Sequence, residues 1–147
     1  VPQFGYKDHI SIDRGHGFIR KYAITDAARY DGHELENLLD PDNTASGVWG
    51  DTAYGAKANR DLLSKRGLRA NLHTRKPRGK PMTDRARRAN RTRSKVRAFC
   101  EHPFAHMKSL MGLCVRTIGL ARAHTKIGMV NLAYNFRRYA YWDRKRA

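Results

Sequence analysis

The amino-acid sequence predicts an α/β fold in which helices flank a mixed sheet. Short β-branched runs open the chain, strand-like and helix-like segments alternate through its middle, and two longer helical patterns end it. This alternation is typical of α/β domains, because helices cover the faces of a sheet. A length of 147 residues suits one domain, and a hydrophobic fraction of 40% is enough for a core.

The first two elements form a predicted β-hairpin. Residues 6–13 alternate between polar and apolar side chains and include β-branched ones, which indicates a half-buried strand. Residues 18–25 have the same character. The turn between them contains Gly15 and Gly17, and glycine adopts positive φ angles at little cost. Residues 13–17 are therefore expected to join two antiparallel strands.

A helix and a third strand are predicted next. Asp31 can cap a helix that continues through Leu39 with its leucines on one face. Residues 40–43 are rich in turn-forming side chains and end that helix. Residues 47–50 are short and apolar enough for a strand, which runs directly into Asp51.

A second helix, a further strand and a basic insert follow. The helix covers about residues 57–66 and ends at Gly67, and residues 68–73 form the strand. The basic insert, at about residues 75–97, contains 11 Lys or Arg against one acidic residue. Its first part is predicted to be a mobile loop, and Thr83 to cap a helix after it. The insert is either a solvated basic face or a direct contact to DNA.

Two amphipathic helices end the chain. The apolar face of the first is formed by Val96, Phe99, Cys100, Phe104, Met107 and Met111. Its other face carries, at helical spacing, Arg97, Glu101, Ala105 and Lys108. Pro103 is predicted to kink or interrupt this helix. The last helix covers about residues 126–141, and its predicted buried face consists of Ile127, Val130, Leu132, Ala133 and Phe136.

The charge of the chain indicates a polyanionic partner. There are 30 Lys and Arg against 13 Asp and Glu, which gives a net charge of +17. Cationic side chains that neutralise phosphates release condensed counterions, so this charge favours nucleic acid. It does not separate an enzyme from a purely binding protein. Membrane-surface binding is a weaker interpretation of the same charge, and no membrane partner is expected. No run approaches the ~18 apolar residues that cross a bilayer.

The cysteines, histidines and aromatic residues give weaker signals. Cys100 and Cys114 form no CxxC pair, which favours buried thiols in a reducing cytoplasm. His102 and His106 are one helical turn apart, but no second ligand pair follows at zinc spacing. The glycine-rich turn matches no phosphate-binding motif. The aromatic side chains of residues 134–142 either pack in the core, which their helical spacing favours, or stack on bases.

Two carboxylates are the best candidates for catalysis. Phosphoryl transfer on DNA by two divalent ions needs carboxylates from separate elements, converging on ions that lie about 3.5–4 Å apart. Asp51 ends a short strand, and Glu101 lies on a helix that can pack beside the sheet. Each also has a structural interpretation. Asp51 can cap the turn that follows it, and Glu101 can pair with Arg97 across one helical turn.

The spacing around Glu101 resembles a known signature. Arg97, Glu101 and Lys108 match the last part of the Tyr-x2-Arg-x3-Glu-x6-Lys signature of bacterial insertion-sequence DDE transposases. Ser94 stands where that signature has Tyr. The hydroxyl or stacking contact of the tyrosine is therefore altered in this chain.

The surrounding segments resemble the insertion-sequence-5 group of these transposases. Residues 50–55 (GDTAYG) are similar to its second-aspartate segment, and residues 101–108 (EHPFAHMK) to its glutamate helix. Residues 131–135 (NLAYN) resemble its C-terminal helix, while residues 4–7 and 25–27 resemble the hairpin before the second aspartate. The likeness covers nearly the whole chain.

The resemblance implies an RNase H-like catalytic domain that cuts and joins DNA strands. Asp51 matches the second metal-binding aspartate of the family and Glu101 its glutamate, which implies Mg²⁺ or Mn²⁺ as the cofactor. The first aspartate has no match, since the family carries it on a strand before the hairpin. Asp13 is the nearest substitute, but turn chemistry explains it fully. Residues 1–147 are expected to be a partial catalytic domain that lacks its first strand and is inactive alone.

Double-stranded DNA, as transposon ends and target, is the partner that the resemblance implies. The expected DNA contacts are Arg85, Arg87, Arg88, Arg91, Arg97 and Lys108. A homo-oligomer in a DNA complex and a place in the bacterial cytoplasm, at the nucleoid, are further expectations. The alternative is a non-catalytic basic nucleic-acid-binding module, such as the remnant of a decayed transposase.

Overall fold

The structure is a computed structural model that describes residues 5–43, 46–112, 115–116 and 118–147. Two residues of the sequence analysis, Phe4 and Cys114, lie outside the described residues. The chain divides into two compact units. One unit consists of Val1–Arg29 together with Phe99–Ala147, and the other of Tyr30–Ala98. Hydrophobic clusters lie within each of them.

The first unit contains the predicted hairpin. Strands β1 (Tyr6–Ile12) and β2 (Ile19–Asp26) pair antiparallel. The carboxylate of Asp13 organises the turn between them. It accepts hydrogen bonds from the backbone N–H of Gly15 (2.8 Å to Oδ1) and of His16 (3.1 Å to Oδ2). The interpretation of Asp13 as a turn residue is therefore confirmed.

The second unit begins with two short helical segments. A 3-10 helix (Asp31–Glu34) leads into α1 (Leu35–Leu38). The predicted cap at Asp31 is wrong, because the N-cap residue is Tyr30 and its side chain makes no capping hydrogen bond. Tyr30 instead donates its hydroxyl to the carbonyl oxygen of Ala53 (2.8 Å). This tertiary contact fixes the residue that precedes the helix.

A parallel pair of strands lies in the middle of this unit. Strand β3 (Gly47–Gly50) pairs with β4 (Arg69–Leu72), and α2 (Lys57–Lys65) lies between them in sequence. Parallel strands need such a crossover connection. All three elements agree with the prediction to within one or two residues at each end. The buried core of the unit consists of Leu35, Leu39, Leu63, Leu68 and Leu72.

The strand pairing differs from the single mixed sheet that the sequence predicts. In the part of the chain that the structure describes, β1 and β2 form one two-stranded sheet, and β3 and β4 form another. Local patterns identify strands, but the pairing of distant strands depends on tertiary packing. The architecture is α/β, with one antiparallel and one parallel pair.

Helix α3 (Asp84–Ser109) contains the second part of the basic insert. Residues 75–83 before it contain no helix or strand, in agreement with the predicted loop. Thr83 caps the helix, since its Oγ1 accepts a hydrogen bond from the backbone N–H of Ala86 (3.3 Å). The predicted cap is therefore confirmed. The boundary between the two compact units falls within α3, after Ala98.

Proline does not interrupt α3. The helix continues through Pro103, so the predicted interruption does not occur, and the alternative of a kink stays a prediction. Pro103 and Met107 are the buried residues of this helix, and their packing offsets the one hydrogen bond that proline cannot make. Phe99, predicted on the apolar face, is 51% exposed.

Helix α4 (Leu120–Arg146) is longer than predicted and buries a different face. Its buried residues are Ala123, Ile127, Asn131 and Tyr134. Leu132 and Phe136, predicted to be buried, are 56% and 65% exposed. Asn131 takes a place in the buried stripe because its Nδ2 donates to Asp8 Oδ1 on β1 (3.2 Å). No helix in the described ranges is long and apolar enough to cross a membrane.

Side chains of α4 hold the hairpin turn through its backbone. Asn135 donates to the carbonyl oxygen of Ile19 (2.9 Å) and accepts from the N–H of the same residue (2.8 Å). The hydroxyl of Tyr134 donates to the carbonyl oxygen of Gly17 (3.1 Å). The exposed aromatic side chains of this helix are Phe136, Tyr139 and Tyr141. Core packing therefore accounts for part of the aromatic cluster.

Candidate functional site

Asp51 directly follows β3 and begins a 3-10 helix (Thr52–Tyr54). Its Oδ1 accepts a hydrogen bond from the backbone N–H of Ala53 (2.8 Å), so the capping interpretation is confirmed. The second carboxylate oxygen, Oδ2, makes no hydrogen bond to the residues that the structure describes. Capping fixes the orientation of this half-buried side chain and leaves one oxygen available to a ligand.

The carbonyl group that precedes Asp51 is held by His73. The oxygen of Gly50 accepts one hydrogen bond from the backbone N–H of His73 (3.1 Å) and one from its ring Nδ1 (3.0 Å). The other ring nitrogen, Nε2, lies 3.0 Å from the hydroxyl oxygen of Ser94. The His73 side chain is buried, so both of its ring nitrogens need partners within the protein.

The first half of α3 docks on the end of β4 through polar side chains. Asn90 donates to the carbonyl oxygen of Thr74 (2.9 Å) and accepts from its N–H (2.9 Å). Arg93 donates from Nη1 to the carbonyl oxygen of Leu72 (2.9 Å). Asn90, Arg93 and Ser94 therefore share one face of the helix. The sequence does not reveal this face, because polar side chains at helical spacing are equally typical of a solvated surface.

The other face of this half of α3 is exposed and basic. Its exposed cationic side chains are Arg85, Arg87, Arg88, Arg91 and Lys95. Arg87 lies 3.5 Å from Asp84, but these side chains are 70% and 81% exposed. A solvent-exposed ion pair of this kind is weak, so it leaves the positive charge available to a polyanion. Four of these five residues are predicted DNA contacts.

Glu101 lies farther along α3 and is exposed, as is Lys108, whereas Arg97 is half-buried. Asp51 and Arg97 belong to the unit Tyr30–Ala98, and Glu101 and Lys108 belong to the other unit. The structure therefore places each carboxylate within its own unit. Their convergence on one metal ion stays a prediction.

The donor atoms of the two candidate ligands each suit a hard divalent cation. Asp51 and Glu101 offer carboxylate oxygens, the ligands that Mg²⁺ and Mn²⁺ prefer. Among the described residues, no group of three or more His, Cys, Asp or Glu side chains is placed to hold a metal ion. Each of the two carboxylates, taken by itself, fits the chemistry of such an ion.

A buried carboxyl group lies outside this site, in the first unit. Asp8 accepts the hydrogen bond from Asn131 at Oδ1. Asp8 Oδ2 and Asn131 Oδ1 are both buried, and neither has a hydrogen-bond partner in the described part of the chain. Burial raises the pKa of Asp8 from 3.8 to about 6, although the hydrogen bond from Asn131 lowers it. The sequence does not reveal this pair, because Asp8 fits the polar positions of the strand pattern like any other strand residue.

Comparison with known proteins gives the relatives of this chain. The family model described as transposase DDE domain matches residues 3–136. The transposase for insertion sequence element IS1106 of Neisseria meningitidis serogroup B is 29% identical over 102 residues. Those residues are 69% of this chain and 35% of that protein, so the chain spans about a third of the curated relative. No solved structure matches the chain.

Proposed function

Because this chain belongs to the transposase DDE domain family, we propose that it supplies two metal-binding carboxylates of a DNA transposase, Asp51 and Glu101. One observation carries the proposal. Asp51 follows a strand of a parallel pair, with Oδ1 fixed by the N–H of Ala53 and Oδ2 without a hydrogen bond in the described residues. Side chains at the carboxyl ends of parallel strands commonly form ligand sites in α/β proteins.

The proposed reaction is the cleavage and joining of DNA strands. A bound Mg²⁺ or Mn²⁺ supplies an activated attacking oxygen and stabilises charge on the leaving oxygen. Asp51 and Glu101 would hold the ion through carboxylate oxygens. Arg97 and Lys108, on the same helix as Glu101, would bind phosphate groups and hold the DNA strand for attack.

The catalytic set is proposed to be completed from outside residues 1–147. A two-ion mechanism needs more oxygen ligands than two carboxylates supply. The Asp13 carboxylate is engaged by the N–H groups of the hairpin turn. The chain also spans 35% of the curated relative, which leaves room for a further carboxylate in a longer protein. We expect residues 1–147 not to cleave DNA alone, and the longer protein to complete an RNase H-like sheet.

Double-stranded DNA is the proposed substrate, as transposon ends and as target. The exposed basic residues proposed to bind phosphates in the first half of α3 are Arg85, Arg87, Arg88 and Arg91. Phosphate contacts position a protein on DNA without reading its sequence, so recognition of specific ends is assigned to other parts of the protein. We further propose that the protein is a member of the insertion-sequence-5 group and that copies of it assemble on DNA. Its proposed location is the nucleoid in the cytoplasm.

The experiment that tests this function uses the whole transposase that contains this sequence. Asp51→Ala and Glu101→Ala should each abolish Mn²⁺-dependent nicking of cognate ends and leave DNA binding nearly unchanged, because metal ligands act on the chemical step. Asp61→Ala removes an exposed carboxylate from α2 and is the matched control. Nicking that persists in both Asp51→Ala and Glu101→Ala contradicts the assignment.

A basic nucleic-acid-binding module without catalysis is the second candidate. The cap that Asp51 forms gives this residue a structural role that needs no metal. The exposed basic face of α3 can bind DNA without a catalytic site. This candidate is correct if the whole protein binds DNA, shows no metal-dependent nicking, and responds to Asp51→Ala through stability alone.

A further inference from the structure

We propose that His73 is a positioning residue for Asp51, acting through the backbone of Gly50, and that Ser94 holds the His73 ring in place. The inference rests on the proposed metal-binding function of Asp51 and adds two residues to the same site. All four residues belong to the unit Tyr30–Ala98.

His73 donates two hydrogen bonds to the carbonyl oxygen of Gly50. The backbone N–H of His73 continues the β3–β4 pairing, and any residue except proline can supply it. The bond from Nδ1 needs a side-chain N–H donor at this position. A second donor on the same oxygen restrains the peptide plane between Gly50 and Asp51. That plane contains the carbonyl group of Gly50 and the N and Cα atoms of Asp51. The orientation of the plane fixes the direction in which Asp51 leaves the strand.

The space beside Gly50 has no room for a side chain. A Cβ atom on Gly50 would lie 3.0 Å from Leu72 Cδ2 and 3.1 Å from Tyr54 Cδ2. These distances are shorter than normal carbon contacts, so the strand end is closely packed. A side chain at position 50 would therefore displace Leu72 or Tyr54, and glycine keeps the strand end beside His73 undisturbed.

Ser94 supports the ring from its second nitrogen. A carbonyl oxygen only accepts hydrogen bonds, so Nδ1 carries the proton that Gly50 receives. In the neutral ring Nε2 is then an acceptor, and the hydroxyl of Ser94, 3.0 Å away, donates to it. Both ends of a side chain that is 8% exposed are thus held. This pair of hydrogen bonds sets one tautomer and one ring orientation.

The hydrogen bond between Ser94 and His73 gives Ser94 a role at a position where this chain differs from the family signature. Ser94 occupies the position where the signature has Tyr, three residues before Arg97 on α3. Its hydroxyl connects α3 to the strand end that carries Asp51, through His73. A tyrosine at this position would carry its hydroxyl several ångströms farther from the helix and would not fit the same contact to His73.

The first test reads the hydrogen bonds and needs no catalysis. Histidine side-chain nitrogen shifts should be measured by NMR in the whole transposase, labelled at histidine, above neutral pH. His73 should show the tautomer protonated at Nδ1, and Ser94→Ala should shift its Nε2 resonance. A ring protonated at Nε2 instead, or a ring unaffected by Ser94→Ala, overturns the proposal.

The second test measures Mn²⁺ affinity by electron paramagnetic resonance of the free ion. His73→Ala should weaken binding by about tenfold, which is the lower end for residues that orient metal ligands, and Ser94→Ala by a smaller factor. His73→Asn should recover part of the affinity, because its amide can donate to Gly50. If His73→Ala does not fold, the Mn²⁺ affinities of His73→Asn and Ser94→Ala still test the proposal. Ser94 is exposed, so its replacement by Ala should change stability little.

The matched control is Asn90→Ala. It removes two hydrogen bonds between the same face of α3 and Thr74, without touching Gly50 or His73. It should lower stability and leave Mn²⁺ affinity unchanged, whereas an equal loss of affinity in Asn90→Ala and Ser94→Ala means that both act only through stability. Asp51→Asn separates the two proposals. If Asp51→Asn leaves Mn²⁺ affinity unchanged, the proposed function is wrong. If Asp51→Asn weakens Mn²⁺ binding but His73→Ala and Ser94→Ala do not, only the proposed role of His73 is wrong.

Discussion

Replacement of Asp8 by Asn should stabilise this protein at neutral pH and flatten its pH dependence. Asp8 is held on β1 against Asn131 of α4. Burial raises its pKa from 3.8 in the unfolded chain to about 6 in the folded protein. The folded state therefore binds this proton more tightly than the unfolded state. The stability that the proton contributes is full below pH 3.8 and is lost as the pH rises through about 6.

The magnitude follows from the two pKa values. A shift from 3.8 to about 6, at about 1.4 kcal/mol per pH unit, corresponds to about 3 kcal/mol of stability lost above neutral pH. Asparagine at position 8 carries no charge, and its amide oxygen can accept the hydrogen bond from Asn131 Nδ2 that Asp8 Oδ1 accepts in the parent. Asp8→Asn should therefore be about 2–3 kcal/mol more stable than the parent at pH 7.5.

The assay is urea unfolding followed by tryptophan fluorescence, repeated from about pH 4 to about pH 7.5 at constant salt. The quantity of interest is the difference in unfolding free energy between Asp8→Asn and the parent, which should grow as the pH rises. Asp61→Asn, an exposed carboxylate on α2, is the control and should change stability by less than about 0.5 kcal/mol throughout. A difference that is constant with pH, or a less stable Asp8→Asn at neutral pH, refutes the reasoning.

Two further predictions concern the basic face and the hairpin. We consider the variant in which alanine replaces Arg85, Arg87, Arg88 and Arg91. The slope of log DNA affinity against log salt concentration should become shallower by about 0.9 for each phosphate that is no longer neutralised. An unchanged slope would mean that the DNA-binding surface lies elsewhere. The control with the same reduction in charge replaces exposed residues of α4, namely Arg122, Arg137, Arg144 and Arg146. Asn135→Ala should cost about 2–4 kcal/mol in urea unfolding, because the N–H and carbonyl of Ile19 lose their partner. Arg137→Ala is its exposed neighbour, and equal stability of the two variants would contradict this role of Asn135.

Local sequence determined where the elements lie. Strand β3 and helix α2 begin at the predicted residues, because alternation, helical periodicity and glycine each act over a few positions. Thr83 and Asp13 were predictable for the same reason, since their side chains bond backbone groups two or three residues away. The placement of Asp51 at the end of β3 follows from the same local pattern. The proposed convergence of Asp51 with Glu101 does not follow from a local pattern, because the two carboxylates belong to different compact units.

Tertiary structure decided which polar side chains are buried and which backbone groups they hold. Asn131 and Asp8 are 123 residues apart in sequence, and His73 and Ser94 are 21 apart. Periodicity shows which helix face is apolar, so it favoured Leu132 over Asn131 for the buried face of α4. A buried polar group is stable only beside a partner from another element, because an unpaired one loses its hydrogen bonds to water. No local pattern encodes the position of that partner, and the folded chain supplies it.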